Sequence, residues 1–320
     1  MGGITMFAQS DFDLSQRWFN EAIYNPAATG NSFTTSVFLQ LRKQWLGVEG
    51  SPTTGVVSGD IYLNNIYSGI GFSVAGDKLG LINTYNARAA YAYYIPMGKA
   101  SALSFGLSAS LLSRGRNTNN VEIIDLGDPY IYMGNESSLS PDFDFGIEYR
   151  GPFKLGATVR HLIGLNSTNA FPAHSRNLWA YASTRFNAGF FTSIEPTISF
   201  VYRDKLSRFE VGSLFYFMRT DGQNTYNDKF WIGAMYRNSN EFSLLLGAQI
   251  APQLRLGYSL DYAIGKLGNL SRWGTHEVFL AWQFNRVFYK ETRNCPAYRR
   301  IGGEGRRSKK REVDLRKEFQ

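Results

Sequence analysis

From residue 32 onward, apolar and polar positions alternate with a period of two. Leu103, Phe105, Leu107, Ala109 and Leu111 are interleaved with Ser104, Gly106, Ser108 and Ser110. Phe143, Phe145, Ile147 and Tyr149 alternate with Asp142, Asp144, Gly146 and Glu148; Leu254, Leu256, Tyr258, Leu260 and Tyr262 alternate with Arg255, Gly257, Ser259 and Asp261. This is the pattern of strands with one apolar face and one small or polar face. Fourteen runs are predicted: 33–43, 54–63, 66–76, 81–95, 100–113, 141–150, 153–162, 176–187, 191–203, 206–218, 228–237, 241–250, 254–263 and 274–286. Each has about the 9–11 residues, or slightly more, that a tilted strand needs to cross a bilayer. An even number is expected of single-chain outer-membrane barrels. Residues 11–25 differ. Asp13 and Gln16 are spaced as a capping pair, Trp18, Phe19 and Ile23 form an apolar stripe, and Pro26 sets a boundary at Asn25. A short helix is predicted there.

Alternation alone does not say which face looks inward. A soluble sandwich buries its apolar face, whereas a membrane barrel turns it to lipid. The connections favour the barrel, because such barrels have short turns on the periplasmic side and longer loops outside. With a periplasmic N-terminus, the periplasmic turns are 64–65, 96–99, 151–152, 188–190, 219–227 and 251–253. All are tight except 219–227. The three longest connections, 114–140, 163–175 and 264–273, fall on the other side. Aromatic girdles are expected at both rims. Tyr93, Tyr94, Phe153, Phe186, Phe191, Tyr216 and Phe217 lie near one, and Trp45, Tyr202, Phe209, Tyr236, Phe242 and Trp273 near the other.

Composition narrows the choice. The chain has 320 residues, of which 43% are hydrophobic and 15% aromatic, too apolar for disorder, and no run of about 20 apolar residues that would make a helical span. A single Cys excludes an intramolecular disulfide, and the three His are too far apart for a local metal motif. No glycine-rich phosphate loop joins a strand to a helix. No cofactor or metal is therefore expected. The net charge of +8 is uneven: residues 290–320 carry 11 basic and 5 acidic side chains, leaving only +2 for the rest. The basic character belongs to a tail, and nucleic acid is not an expected partner. Within the tail, Arg306, Arg307, Lys309, Lys310 and Arg311 form a basic stretch that is either simply solvated or docks on an acidic periplasmic protein or the cell wall. The first residues read as the end of a secretory signal without its basic start, or as a frayed terminus. The expected organisation is a residual signal at 1–9, a periplasmic or plug segment at 10–31, a barrel at 32–287 and a basic periplasmic tail at 288–320.

Thirteen charged positions share the polar phase, among them Arg42, Arg88, Asp144, Glu148, Arg237, Asp261 and Glu277. Their mixed signs suit a paired interior network better than rings of one sign. Strands 1 and 14 must meet to close the barrel. Arg42, Asp261 and Glu277 all fall near the outer ends of strands at that seam, with Trp45 beside them. They form a charge-assisted cluster, or each is solvated alone. His276 falls on the lipid-facing phase, which leaves a Ser–His hydrolase without a base in reach. No catalytic residue is assigned, and the chain is not expected to be an enzyme.

Several segments, in order, carry a family resemblance. They are Tyr24-Asn25-Pro26-Ala27 with Gly30; Gln44-Trp45-Leu46-Gly47 with Gly50 and Pro52; and Gly69-Ile70-Gly71-Phe72-Ser73 with Asp77, Lys78 and Gly80. Pro141-Asp142-Phe143 with Phe145-Gly146 follows, then Leu256-Gly257-Tyr258 with Asp261-Tyr262, and Gly274-Thr275-His276-Glu277. Together, from about residue 11 to 287, the chain resembles the PorP/SprF family of the type IX secretion and gliding-motility apparatus of Bacteroidota-type bacteria. The resemblance implies an all-β, antiparallel transmembrane β-barrel in the outer membrane. It implies partners in the lipid bilayer, a secreted surface protein such as an adhesin, and periplasmic components of the machinery, with no catalysis. It adds Asn25, Pro26, Trp45, Gly47, Pro52 and His276 to the seam residues as motif positions. A passive porin or hydrophobic-solute channel is the alternative.

Overall fold

The computed structural model describes residues 12–32, 34–97, 101–116, 136–163, 176–189, 191–203, 206–220, 226–264 and 273–284. Its strands are β1 (Thr35–Lys43), β2 (Thr53–Leu63), β3 (Ser68–Leu79), β4 (Ile82–Pro96), β5 (Ala102–Arg116), β6 (Glu136–Arg150), β7 (Phe153–Arg160), β8 (Asn177–Thr184), β9 (Phe186–Asn187), β10 (Thr192–Arg203), β11 (Leu206–Thr220), β12 (Tyr226–Arg237), β13 (Glu241–Ala251), β14 (Leu254–Ala263) and β15 (Thr275–Phe284). Successive strands pair antiparallel, and β1 pairs with both β2 and β15, so the meander closes on itself. Strands β8 and β9 lie on one edge of β10, with Ser183 opposite Thr197 and Phe186 opposite Ile194. The register is the same in both, so they form one stave of a 14-stave barrel. The pairing lapses beside Pro196, which has no N–H to give the ladder.

Every predicted run is a stave. The connection between β11 and β12, expected as the one long turn on its side, shrinks to 221–225 because both strands extend, with a register shift at Phe217/Met218. The long connections of the opposite rim, the residual signal and the basic tail fall largely or wholly outside the described residues.

The apolar phase faces out. On β1, Val37, Leu39 and Leu41 are exposed while Ser36, Phe38, Gln40 and Arg42 are buried. Phe72, Leu107, Leu111, Phe143, Phe145, Ile198, Phe215, Ile232, Leu244 and Val278 continue this outward band around the wall. So large a contiguous apolar surface is stable against lipid, not water. Most expected girdle aromatics lie on this surface, including Tyr93, Phe153, Phe186, Phe217, Tyr202, Phe209 and Trp273. Tyr94 and Tyr216 do not. They lie on the inward phase, where their hydroxyls donate to Thr29 O (2.7 Å) and Glu195 Oε2 (3.1 Å).

The predicted helix over 11–25 is corrected. The segment forms 3-10 turns at Arg17–Phe19, Glu21–Ile23 and Pro26–Ala28. Asp13 and Gln16 do not make the capping pair: Asp13 meets Arg17 and Arg208 instead, and Gln16 makes no side-chain cap. The cause is the surrounding wall. The segment's polar groups bond to barrel side chains, which rewards a stepped path over a continuous i→i+4 ladder.

Candidate functional site

The segment 12–31 sits within the barrel, and nearly all of it is buried. It descends from the end bearing the long loops to the end bearing the short turns, where β1 begins.

Near the loop end it is held by charge. Arg42 lies directly opposite Glu277 across the β1–β15 pair. Its Nη1 is 2.7 Å from Asp261 Oδ2 and 2.9 Å from Glu277 Oε2. Ser15 enters this group. Its hydroxyl donates to Asp261 Oδ2 (2.5 Å) and accepts from Arg42 (2.8 Å) and Arg237 (2.9 Å). The backbone N–H groups of Ser15 and Gln16 donate to the two oxygens of Glu277 at 2.7 and 3.0 Å. Beside it, Glu210 Oε2 receives Arg237 Nε at 2.5 Å and Arg17 Nη2 at 2.6 Å. Asp13 pairs with Arg17 at 3.0 Å and Arg208 at 2.6 Å. Burial alone would raise the Asp13 carboxyl, but the guanidiniums of Arg208, Arg17, Arg237 and Arg42 hold it well below the usual carboxylate range.

At mid-height the contact is mostly apolar. Phe19 packs on Trp231 and Phe279 with ring centroids 5.1 and 5.2 Å apart, and Tyr24 packs on Trp179 at 5.4 Å. Leu214, Met235 and Leu245 join this cluster, so the inward phase of β11–β13 is apolar where the segment covers it. Asn20 donates to Gln40 Oε1 (2.7 Å) and Ser58 Oγ (2.9 Å). Arg88 binds the carbonyls of Ala22 and Ile23 while its Nε lies 3.3 Å from Asp144.

Toward the turn end, backbone packing dominates. Asn25 caps the last 3-10 turn by accepting from Ala27 N–H and donates to Tyr181 OH (3.0 Å) and Ile147 O (3.3 Å). Pro26 and Ala27 lie against Gly106, where a Cβ would come within 2.2 Å of the Ala27 nitrogen. At Gly69 a Cβ would be 1.9 Å from Thr29 O. These positions admit a second backbone only as glycine. Asp60 accepts from Gly30 N–H (2.7 Å), and Ser104 donates to Ala27 O (2.8 Å). Glu21 reaches Lys154 and Arg150 (2.9 Å). Burial pushes its carboxyl up, with Lys154 opposing and Glu148 adding to the rise.

The structure thus brings Arg42, Asp261 and Glu277 together and places Trp45, Gly47 and Pro52 in the rim turn beside that seam. Asn25 and Pro26 lie toward the other end. Trp45 (φ 49°) and Gly47 (φ 88°) shape the rim turn after β1. That turn is pinned to the seam by Leu46 N–H on Gly274 O (2.8 Å) and Trp45 N–H on Thr275 Oγ1 (3.2 Å), and closed by Gln44 N–H on Pro52 O (3.0 Å). His276 lies on the outer face between Tyr258 OH (2.6 Å) and Trp273 O (2.9 Å), away from the ion cluster. Its Nε2 can only donate to that carbonyl, because a carbonyl oxygen has no proton to give. Sequence reasoning did not anticipate Asp13, Ser15, Arg17 and Glu21 as partners of the wall. The available signal was alternating acid and base in a segment that also carries Trp18 and Phe19. It also missed the buried group of Asp142, Asp144 and His161, whose potential ligand atoms lie within 4.8 Å of one another. Arg88 and Arg160 flank Asp144 there and supply positive charge where a cation would otherwise be needed.

Among solved structures, the P. putida toluene transporter TodX has the same barrel fold, with a TM-score of 0.50 at 9% identity over 83% of this chain and 94% of that one. The Ralstonia pickettii toluene transporter TbuX gives 0.49 at 12% identity, covering 82% and 92%. The Acinetobacter baumannii outer membrane protein Omp33 gives 0.44 at 14%, covering 79% and 98%. No curated protein matches the sequence. The family model for type IX secretion system membrane protein PorP/SprF matches residues 6–282. A closed barrel with an apolar outer band, an inward polar phase and this match over most of its length is an outer-membrane protein, and the chain belongs to the PorP/SprF family of the type IX secretion system.

Proposed function

We propose that the chain is a non-enzymatic, internally filled barrel of the secretion and gliding machinery that anchors a secreted surface protein, such as an adhesin, or assists its export. In this reading the loop end faces outward and receives that protein. The turn end and the basic tail, Arg306, Arg307, Lys309, Lys310 and Arg311 included, contact periplasmic components. The carrying observation is the occupied lumen. A passive porin or solute channel needs a continuous path, whereas here buried ion pairs and aromatic packing seat the chain's own segment across the interior. Family membership supplies the machinery. The test is mass spectrometry of proteins that co-purify with a tagged copy from gently solubilised membranes of the native host. A large secreted surface protein and periplasmic components are expected. Purification of the barrel alone, together with steady ion conductance in planar bilayers, would overturn the reading in favour of the channel.

A further inference from the structure

A small pocket lies at the loop end, lined by Phe12, Asp13, Arg42, Arg208, Arg237 and Glu241 among others. Its cations are not equivalent. Arg42 and Arg237 are almost fully buried and hold wall carboxylates: Asp261 and Glu277 for the first, Glu210 and Glu241 for the second. Arg208 is 26% exposed, and among the described residues its ion pair is with Asp13. That partner belongs to the lumen segment, not to the wall. Asp13 therefore fills a carboxylate position on a partly exposed guanidinium, supplied by the same chain.

We propose that Arg208 is the centre of a receptor site for an acidic peptide segment arriving from the loop side, with Asp13 as its resting occupant. A guanidinium offers a fork of donors that matches a carboxylate. A partly exposed pair contributes little, so one carboxylate can replace another there. The deep pairs of Arg42 and Arg237 are not exchangeable in this way, because breaking them strands buried charge. Arg17 keeps Glu210 when Asp13 leaves, so the exchange frees only the tip of the segment. Phe12 gives the same cavity an apolar contact, which favours a peptide over a small free acid. The site stands whether or not the barrel serves the secretion machine, and its test is separate from co-purification.

The test uses the full chain in detergent micelles and a fluorescein-labelled peptide of alternating Glu and Phe, read by fluorescence anisotropy. The Gln–Phe counterpart and free acetate are the controls. The acidic peptide binds and the controls do not. Asp13→Asn removes the competitor and tightens binding by about fivefold, the upper worth of such a pair. Arg208→Gln weakens binding by at least about fivefold, and Arg208→Lys retains more of it than Arg208→Gln. Equal binding by wild type and Arg208→Gln overturns the site. Unchanged affinity in Asp13→Asn, or no binding to that variant, overturns the role of Asp13 as occupant. Far-UV circular dichroism checks that each variant keeps its β signal; if Arg208→Gln loses it, the Asp13→Asn result decides.

Discussion

The two halves of the lumen segment are fixed by different forces. From Asp13 to Arg17 the contacts are ion pairs and charge-assisted hydrogen bonds to Arg42, Arg208, Glu210, Arg237, Asp261 and Glu277. From Asn25 to Gly30 the backbone lies against wall positions lacking a Cβ, with neutral hydrogen bonds to Tyr94, Ser104 and Tyr181 and a single carboxylate acceptor, Asp60, at Gly30. The first arrangement rests mainly on charge, and the second mainly on volume. The charged half therefore suits exchange with an external ligand, and the packed half suits permanent attachment.

This contrast can be broken at four points. The largest effect is expected from Arg42→Ala, which leaves Asp261 and Glu277 buried without their shared cation and costs about 3–5 kcal/mol. Denaturant unfolding of the purified barrel measures it, and a loss under 1 kcal/mol would show that the seam cluster is solvated. Next is Gly106→Val, which drives a side chain into the Ala27 backbone. It should cost about 1–3 kcal/mol and raise bilayer conductance. Unchanged conductance would mean that the packed half tolerates displacement. Asn25→Ala removes a cap and two wall hydrogen bonds, for about 1–2 kcal/mol, read as faster proteolysis of the segment. The smallest effect is acid. The Asp13 carboxyl is depressed in the folded state, so its contribution is full above the ordinary value of 3.8 and fades as pH falls below it. Amide exchange at Leu14 and Ser15 should rise below that pH by a factor matching less than about 1 kcal/mol, while exchange at Ala27 and Ala28 should not. Parallel loosening of both halves would refute the division.

The staves were legible because a two-sided wall writes its environment into every second residue, as in Leu103–Leu111. Closure was legible too, because an even antiparallel meander brings its first and last staves together, and β1 against β15 puts Arg42 opposite Glu277. The segment's path was not legible. Trp18, Phe19 and Ile23 do not form one helical face. Each answers a different stretch of wall, and those stretches come from residues far along the chain. Tyr94 and Tyr216 depart from the expected girdle for a related reason. Proximity to a rim is a matter of height, whereas lipid contact is a matter of phase, and both tyrosines have the inward phase. Pro196 marked the break between β8 and β9, but its effect falls on the strand opposite.

The placement of Ser15 and Gln16 against Glu277 couples the filling of the barrel to the stability of its closing seam. Glu277 is buried at the seam with Arg42 from the wall and two N–H donors from the earliest described stretch of the chain. A ring that shut around an empty interior would leave that carboxylate with Arg42 but without two of its donors, so the segment acts as a keystone by which a correctly loaded barrel is distinguished from a hollow one.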